Sequence, residues 1–356
     1  MQRELRPTRI VGPGWSVLES ELEHGNAKLE ILGLSEKQNM NTKKFLAAMI
    51  LPLAVASLSP TGLFAQGTQK QLKVGLVLIN LQAKFFNDIQ AGAEEAAKKA
   101  GVSLQVIDGN NDPTAQVNAV ETLTQQKVDG IIMVAIDVKG IVPALQDAAK
   151  SGVKVVAVDA KVQDPSVKSF IGVDNAKAGS DFGDFVGKYI ETQMGGKAKL
   201  GIIGALNSFI QNQRKDSFIE SIKKIPGVTI GNTVDGQNVQ ERALTAAEDL
   251  VTSSPDTNVI YATGEPALIG AIAALESQGA TKRIKLFGWD LSKQAVKAVD
   301  DGFLVGVVQQ NPYQEGVEAV GALVKLSRGE EAPSFINVPV EFVTKDNIGK
   351  YRAAFQ

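Results

Sequence analysis

The chain carries few of the side chains that enzymes most often use as nucleophiles or bases. Among its 356 residues there is no cysteine, and the one histidine, His24, precedes every regular pattern in the sequence. The commonest general base, the commonest metal ligand and the thiol nucleophile are therefore missing from the patterned region. Carboxylates, amides and aromatics remain, and they recur just after short apolar runs. Phe85 and Phe86 follow the first run, Asp137 the third, Asp159 the fourth, and Asp174 with Asn175 the fifth. Later runs are followed by Asn207, by Gln237 and Asn238, by Glu265, by Trp289 and Asp290, and by Gln310 and Asn311. Arg214 lies in the helix-like stretch after Asn207. Such a mix suits a neutral polyhydroxylated ligand: Asp, Asn and Gln bridge vicinal hydroxyls, Arg donates a planar fork, and aromatic faces stack on the C–H face of a ring. A phosphate would call for glycine amides with Lys or Arg. Neither G-x-G-x-x-G after the first run nor G-x-x-x-x-G-K-[ST] anywhere is present, so dinucleotide and P-loop chemistry is excluded.

The elements that must position these residues alternate regularly. Apolar runs at 72–79, 103–108, 130–135, 154–159 and 169–174 read as buried parallel strands. They are separated by helical stretches near 88–100, 114–126 and 140–150, and followed by one at 176–194. The pattern then restarts, with strands at 198–205, 228–236, 259–263, 284–290 and 305–310 and helices near 211–224, 240–253, 266–278 and 292–300. A helix at 313–327 and a strand at 336–344 close it. The expected fold class is α/β: two doubly wound parallel-sheet lobes in tandem, the last helix and strand returning to the first lobe. In such sheets ligands bind outside the carboxyl ends of the strands.

Each candidate has a second reading. Phe85 and Phe86 either cap the core or contact ligand. Asp137 and Asp174 are as well placed to cap a helix as to bind. Asp159 and Asp290 end apolar runs without an immediate helix to cap, which favours ligand contact. Phe218, four residues after Arg214, turns that helix face inward. Trp289 suits packing as well as stacking.

Composition fits a folded globular chain, 44% hydrophobic and 21% charged, and a net charge of -2 gives no footprint for nucleic acid. Ahead of the pattern, Lys43 and Lys44 precede an apolar stretch, 45–58, which at about 14 residues is short for a membrane span. With Leu63 to Ala65 as a cleavage site, residues 40–65 read as a secretory signal peptide and 1–39 as a non-native upstream extension. No cysteine follows, so a lipoprotein anchor is excluded and a soluble periplasmic product is expected.

The stretches KVGLVLINLQAKFFNDIQAGAEEAAKKAG, VVAVDAK, FIGVDNAKAG, QRKDSFIESI, LFGWD and DGFLVGVVQQNPYQEG occur in an order that resembles the ribose-binding-protein-like periplasmic proteins, the type I sugar-binding components of ABC importers. The resemblance spans about 72–344. It implies that Phe85 and Phe86 sandwich a ring and that Asp159, Arg214, Asp290 and Gln310 hold hydroxyls, with Asp137 and Asn238 as further contacts. It implies a three-segment hinge between one lobe at 72–173 plus 311–338 and another at 174–310 plus 339–356. No catalytic residue, metal or cofactor is expected. The implied partners are a small neutral sugar or polyol, the permease of an ABC importer and, further, a chemoreceptor, with the protein itself a monomer. The ribose pattern has Asn-Pro at Ala83-Lys84, Asp-Arg at Asp159-Ala160 and Asn-Asp at Gly264-Glu265, which points away from ribose itself. Three other readings compete: a lactose-repressor-like regulator without an evident DNA-binding domain, a binding protein for a non-sugar polar solute, and an enzyme on a doubly wound fold.

Overall fold

The computed structural model describes residues 71–355; the expected signal peptide and upstream extension lie outside the described residues. Two six-stranded sheets form. The first has the order β11-β5-β4-β3-β1-β2, with β1 (Lys73–Leu78), β2 (Ser103–Asp108), β3 (Gly130–Met133), β4 (Lys154–Val158), β5 (Val167–Gly172) and β11 (Phe335–Asn337). The second has the order β12-β10-β9-β8-β6-β7, with β6 (Ala198–Gly204), β7 (Val228–Asp235), β8 (Val259–Ala262), β9 (Lys285–Trp289), β10 (Leu304–Gln309) and β12 (Glu341–Val343). Every pairing is parallel except β10 with β12. Central strands such as β3 and β8 are buried along their whole length, because helices cover both faces of each sheet.

The helices are α1 (Lys84–Ala100), α2 (Pro113–Gln125), α3 (Val142–Lys150), α4 (Asn175–Gln193), α5 (Phe209–Ile222), α6 (Gln240–Ser253), α7 (Glu265–Ser277), α8 (Lys293–Asp301) and α9 (Pro312–Ser327), and a 3-10 helix ends the described chain (Ile348–Phe355). Local sequence sets their ends. Asp112, Asp174, Ser208 and Ser292 each accept an amide of the first turn that follows. Gly101 and Gly302 close α1 and α8 in the left-handed conformation that glycine adopts without strain.

The chain passes between the sheets three times. α4 follows β5 of the first sheet, yet Ala178, Phe182 and Val186 pack on the second. α9 follows β10 of the second sheet, yet Ala319, Val320 and Leu323 pack on the first. The run at 336–344 is not one strand but two, β11 on the first sheet and β12 on the second. Val338 still donates to Gly172, after which Pro339, with no amide to donate, interrupts the ladder.

α9 docks on α1 backbone to backbone. A Cβ on Gly92 would lie 1.9 Å from the Tyr313 carbonyl oxygen, and one on Gly316 would lie 2.0 Å from that of Ile89. Gly92→Ala is expected to destabilise the fold by roughly 3 kcal/mol, the upper range for an overpacked contact whose obstacle is backbone. A denaturant midpoint equal to wild type would contradict this packing account.

Candidate ligand-binding site

The two sheets carry matching devices at their carboxyl ends. β4 and β9 hold the same place in their sheets, and each is followed by an aspartate in the left-handed region, Asp159 at φ 60° and Asp290 at φ 62°. Each donates its amide to the neighbouring strand, Asp159 to Ile171 of β5 (2.9 Å) and Asp290 to Val308 of β10 (2.8 Å). Asp tolerates this conformation better than most residues, and it turns the carboxylate off the strand axis. Strained backbone of this kind clusters at functional sites.

Arg214 on α5 is the cation whose charge acts on both. It is only 6% exposed. Its Nε donates to Asn175 Oδ1 (2.7 Å) and its Nη1 to the Thr263 carbonyl (3.3 Å). The guanidinium carbon lies over the Trp289 indole, 3.7 Å from the ring centroid. Trp289 is fully buried and donates Nε1 to the Tyr261 hydroxyl (2.7 Å), so it is the floor under Arg214 and not a stacking surface for ligand. Tyr261 in turn stacks on Phe218 (3.9 Å), the residue that the spacing from Arg214 placed inward. Gln310, between β10 and α9, donates Nε2 to both oxygens of Asp290 (2.9 and 3.1 Å).

The electrostatics join the two sheets. Burial raises the Asp159 pKa to about 6; Arg214 opposes the rise and Asp290 adds to it. Asp290 is raised chiefly by burial, against Arg214 and the Gln310 hydrogen bonds. The sequence reading missed a third carboxylate. Glu315, in the first turn of α9, is fully buried, and neither carboxylate oxygen has a hydrogen-bond partner among the described residues. Burial and the charges of Asp159 and Asp290 raise its pKa well above the usual range, with Arg214 opposing. The available signal was period: Glu315, Ala319 and Leu323 share the buried stripe of α9, where a charge is out of place.

The remaining candidates divide. Phe85 and Phe86 meet edge to face (5.5 Å between centroids) and partly pack on the core of the first sheet while keeping some exposure. They belong to the first turn of α1 and not to a preceding loop. Asn80 Oδ1 accepts the amides of Gln82 and Ala83, and the amides of Phe86 and Asn87 already bond to the Ala83 carbonyl, so the helix starts four residues earlier than expected. Asp137 is exposed and caps a turn: its Oδ1 accepts from Lys139 and Gly140 (both 2.9 Å), and these amides hold its pKa below the usual range. It stands apart from the Arg214 cluster. Asn238 is also exposed, but Gln211 donates to it (2.7 Å) and accepts from Thr263, which ties it to the loop that carries the Arg214 acceptor. Asp174 caps α4, and its neighbour Asn175 holds Arg214. Phe209 went unnoticed; it is 75% exposed in the first turn of α5, at the same sheet edge.

The raised Asp159 pKa has a measurable consequence. The fold holds this proton more tightly than the unfolded chain does, so the group favours folding below about pH 4, and that advantage is lost as pH rises through about 6. The melting temperature of ligand-free wild type relative to Asp159→Asn should therefore fall from about pH 4 to about pH 7. A difference that is flat with pH would contradict the burial of this carboxyl.

Two doubly wound sheets with matching aspartates at their carboxyl ends, three chain crossings and a buried arginine whose charge acts on both aspartates define a bilobed binding protein. The family model described as "Periplasmic binding protein domain" matches residues 74–331, and the chain belongs to that family. It is a binding protein and not an enzyme. The chain is 28% identical over 281 residues to the ribose import binding protein of Bacillus subtilis, covering 78% of this chain and 89% of the relative. It is 24% identical over 281 residues to the xylitol-binding protein of Mycolicibacterium smegmatis, covering 78% of each. Among solved structures, an ABC transporter solute-binding protein from Burkholderia graminis in complex with D-arabinose matches with a TM-score of 0.70 and 26% identity, over 79% of this chain and 97% of that one.

Proposed function

We propose that the protein is an extracytoplasmic solute-binding protein that captures a sugar or polyol between its two sheets and delivers it to an ABC importer. The observation that carries this reading is the convergence of Asp159, from the first sheet, with Asp290 and Arg214, from the second. A ligand held by both sheets stabilises the closed arrangement by contacts that the open one lacks. The three crossings near 173–174, 310–311 and 338–340 serve as the hinge, and the closed shape is what the permease recognises. Asp159, Arg214 and Asp290 hold hydroxyls; Phe85 and Phe86 supply the aromatic wall. Among the described residues no helix is long and apolar enough to cross a membrane. The named ligands of the relatives, ribose, xylitol and D-arabinose, support the sugar and polyol class.

A thermal-shift screen against pentoses, hexoses, polyols and amino acids tests the class. At a concentration 100 times Kd, a ligand stabilises by about 2.7 kcal/mol, an unmistakable shift in melting temperature. A shift with an amino acid and with no sugar or polyol would replace the proposal with a binding protein for another polar solute.

A further inference from the structure

The edge strands of the two sheets end in the same turn. β2 and β7 lie at the edges away from β11 and β12, and each stops on the aspartate of an Asp-Gly-x-Asn stretch, Asp108 to Asn111 and Asp235 to Asn238. The two turns match bond for bond. Asp108 Oδ1 accepts the Asn110 amide (2.8 Å), and Asp235 Oδ1 that of Gln237 (2.9 Å). Gly109 donates to Leu78 at the end of β1 (2.9 Å), and Gly236 to Gly204 at the end of β6 (2.7 Å). The next two residues are left-handed in both, at φ 51° and 57° and at φ 52° and 59°, a conformation unfavourable for most residues other than glycine and asparagine. The asparagine oxygen then accepts from a carboxamide beside the helix that follows the neighbouring strand. Asn80 Nδ2 donates to Asn111 (2.9 Å) ahead of α1, and Gln211 Nε2 to Asn238 (2.7 Å) in the first turn of α5.

Each asparagine is exposed, yet the carboxamide it holds is buried, and its oxygen fixes which end of that carboxamide meets the other partner. Asn80 presents its oxygen to the Gln82 and Ala83 amides (3.0 and 2.9 Å), at a helix start where Ala83, the N-cap residue, makes no side-chain cap of its own. Phe85 and Phe86 stand in the turn that follows. Gln211 presents its oxygen to the Thr263 hydroxyl (2.7 Å), and the Thr263 carbonyl accepts from Arg214, three residues further along α5 on the same face. Gly264 makes room for Gln211. Its extended backbone (φ -169°) is open to any residue, but a Cβ there would lie 2.8 Å from Gln211 Nε2. We propose that Asn111 and Asn238 are a matched pair of positioning residues for ligand capture, Asn111 acting through Asn80 on Phe85 and Phe86, and Asn238 through Gln211 on Arg214. This rests on the sugar-capture reading, and it gives Asn238 an indirect role in place of ligand contact.

The test is calorimetric titration of the purified protein with the tightest binder among D-ribose, D-arabinose, xylitol and the other sugars and polyols of the thermal-shift screen. Asn111→Ala and Asn238→Ala should each weaken binding by at least about tenfold. Asn111→Asp and Asn238→Asp keep the accepting oxygen and lose only the side-chain amide, so both should bind within about threefold of wild type. Adding Asn80→Ala to Asn111→Ala, or Gln211→Ala to Asn238→Ala, should leave the double variant within about twofold of its weaker single variant, because each pair acts as one unit. Melting curves confirm folding, and serine, too short to reach the carboxamide, replaces any alanine that prevents it. An aspartate variant that loses as much affinity as its alanine counterpart overturns the inference, since the donating amide is then what binds. Losses that add in the double variants also overturn it. Wild-type affinity in either alanine variant overturns the matched pair and leaves sugar capture standing. If no sugar or polyol binds the wild type, both readings fall.

Discussion

Asp290→Ala should lose ligand affinity by at least about 100-fold, near 3 kcal/mol, and still fold. The two effects separate because the fold gains little from this carboxylate. Burial raises its pKa, so the protein holds its charged form at a cost that alanine removes. Against that gain, alanine at φ 62° costs about 1 kcal/mol in the left-handed region, and Gln310 loses its acceptor. The sum is a melting temperature close to wild type. Asp290→Asn, which tolerates the same backbone and keeps an oxygen for Gln310, should show equal binding loss with still less change in stability. Unchanged affinity of Asp290→Ala in calorimetry would remove this residue from the site.

Arg214→Met should behave in the opposite way and damage both properties. The guanidinium is buried, hydrogen-bonded to Asn175 and Thr263, and stacked on Trp289. Methionine recovers the apolar contact with the indole but leaves Asp159, Asp290 and Glu315 without their common counter-charge. Leaving Asn175 Oδ1 and the Thr263 carbonyl without their charged donor costs about 1–3 kcal/mol each. The cost of the lost counter-charge is partly relieved by protonating the carboxyls, so the loss of stability should be smaller at pH 5 than at pH 8. Ligand affinity should fall below detection. A variant as stable as wild type at pH 8 would mean that the Arg214 charge does not offset those of the carboxylates.

Much of this site is legible in the sequence, for a definite reason. A parallel strand buried on both faces announces itself as an apolar run, and the residue that ends the run must lie at the sheet edge where ligands bind. That logic placed Asp159, Asp290 and Gln310. It gave Arg214 only through Phe218 one turn later. It could not decide between capping and binding at Asp137, because the same Asx geometry serves either; only the bonds to Lys139 and Gly140 show that the carboxylate caps. Trp289 was ambiguous until its indole was seen beneath Arg214. The start of α1 was misjudged because the capping group, Asn80, stands three residues before the N-cap position and not at it. Glu315 was hidden altogether, since attention to strand ends passes over a charge on the buried face of a helix.

The central claim is that ligand draws the two lobes together. The crossings lie beside β11 and β12, so opening and closing should be widest at the opposite edges, β2 and β7. α2 and α6 begin just after those strands, and Thr114 and Glu241 are exposed in their first turns. The chain has no cysteine, so Thr114→Cys with Glu241→Cys gives two unique sites for spin labels. Pulsed electron resonance should show one shorter, narrower distance with the tightest-binding sugar or polyol than without it. Calorimetric saturation with an unchanged distance distribution would contradict capture between the lobes.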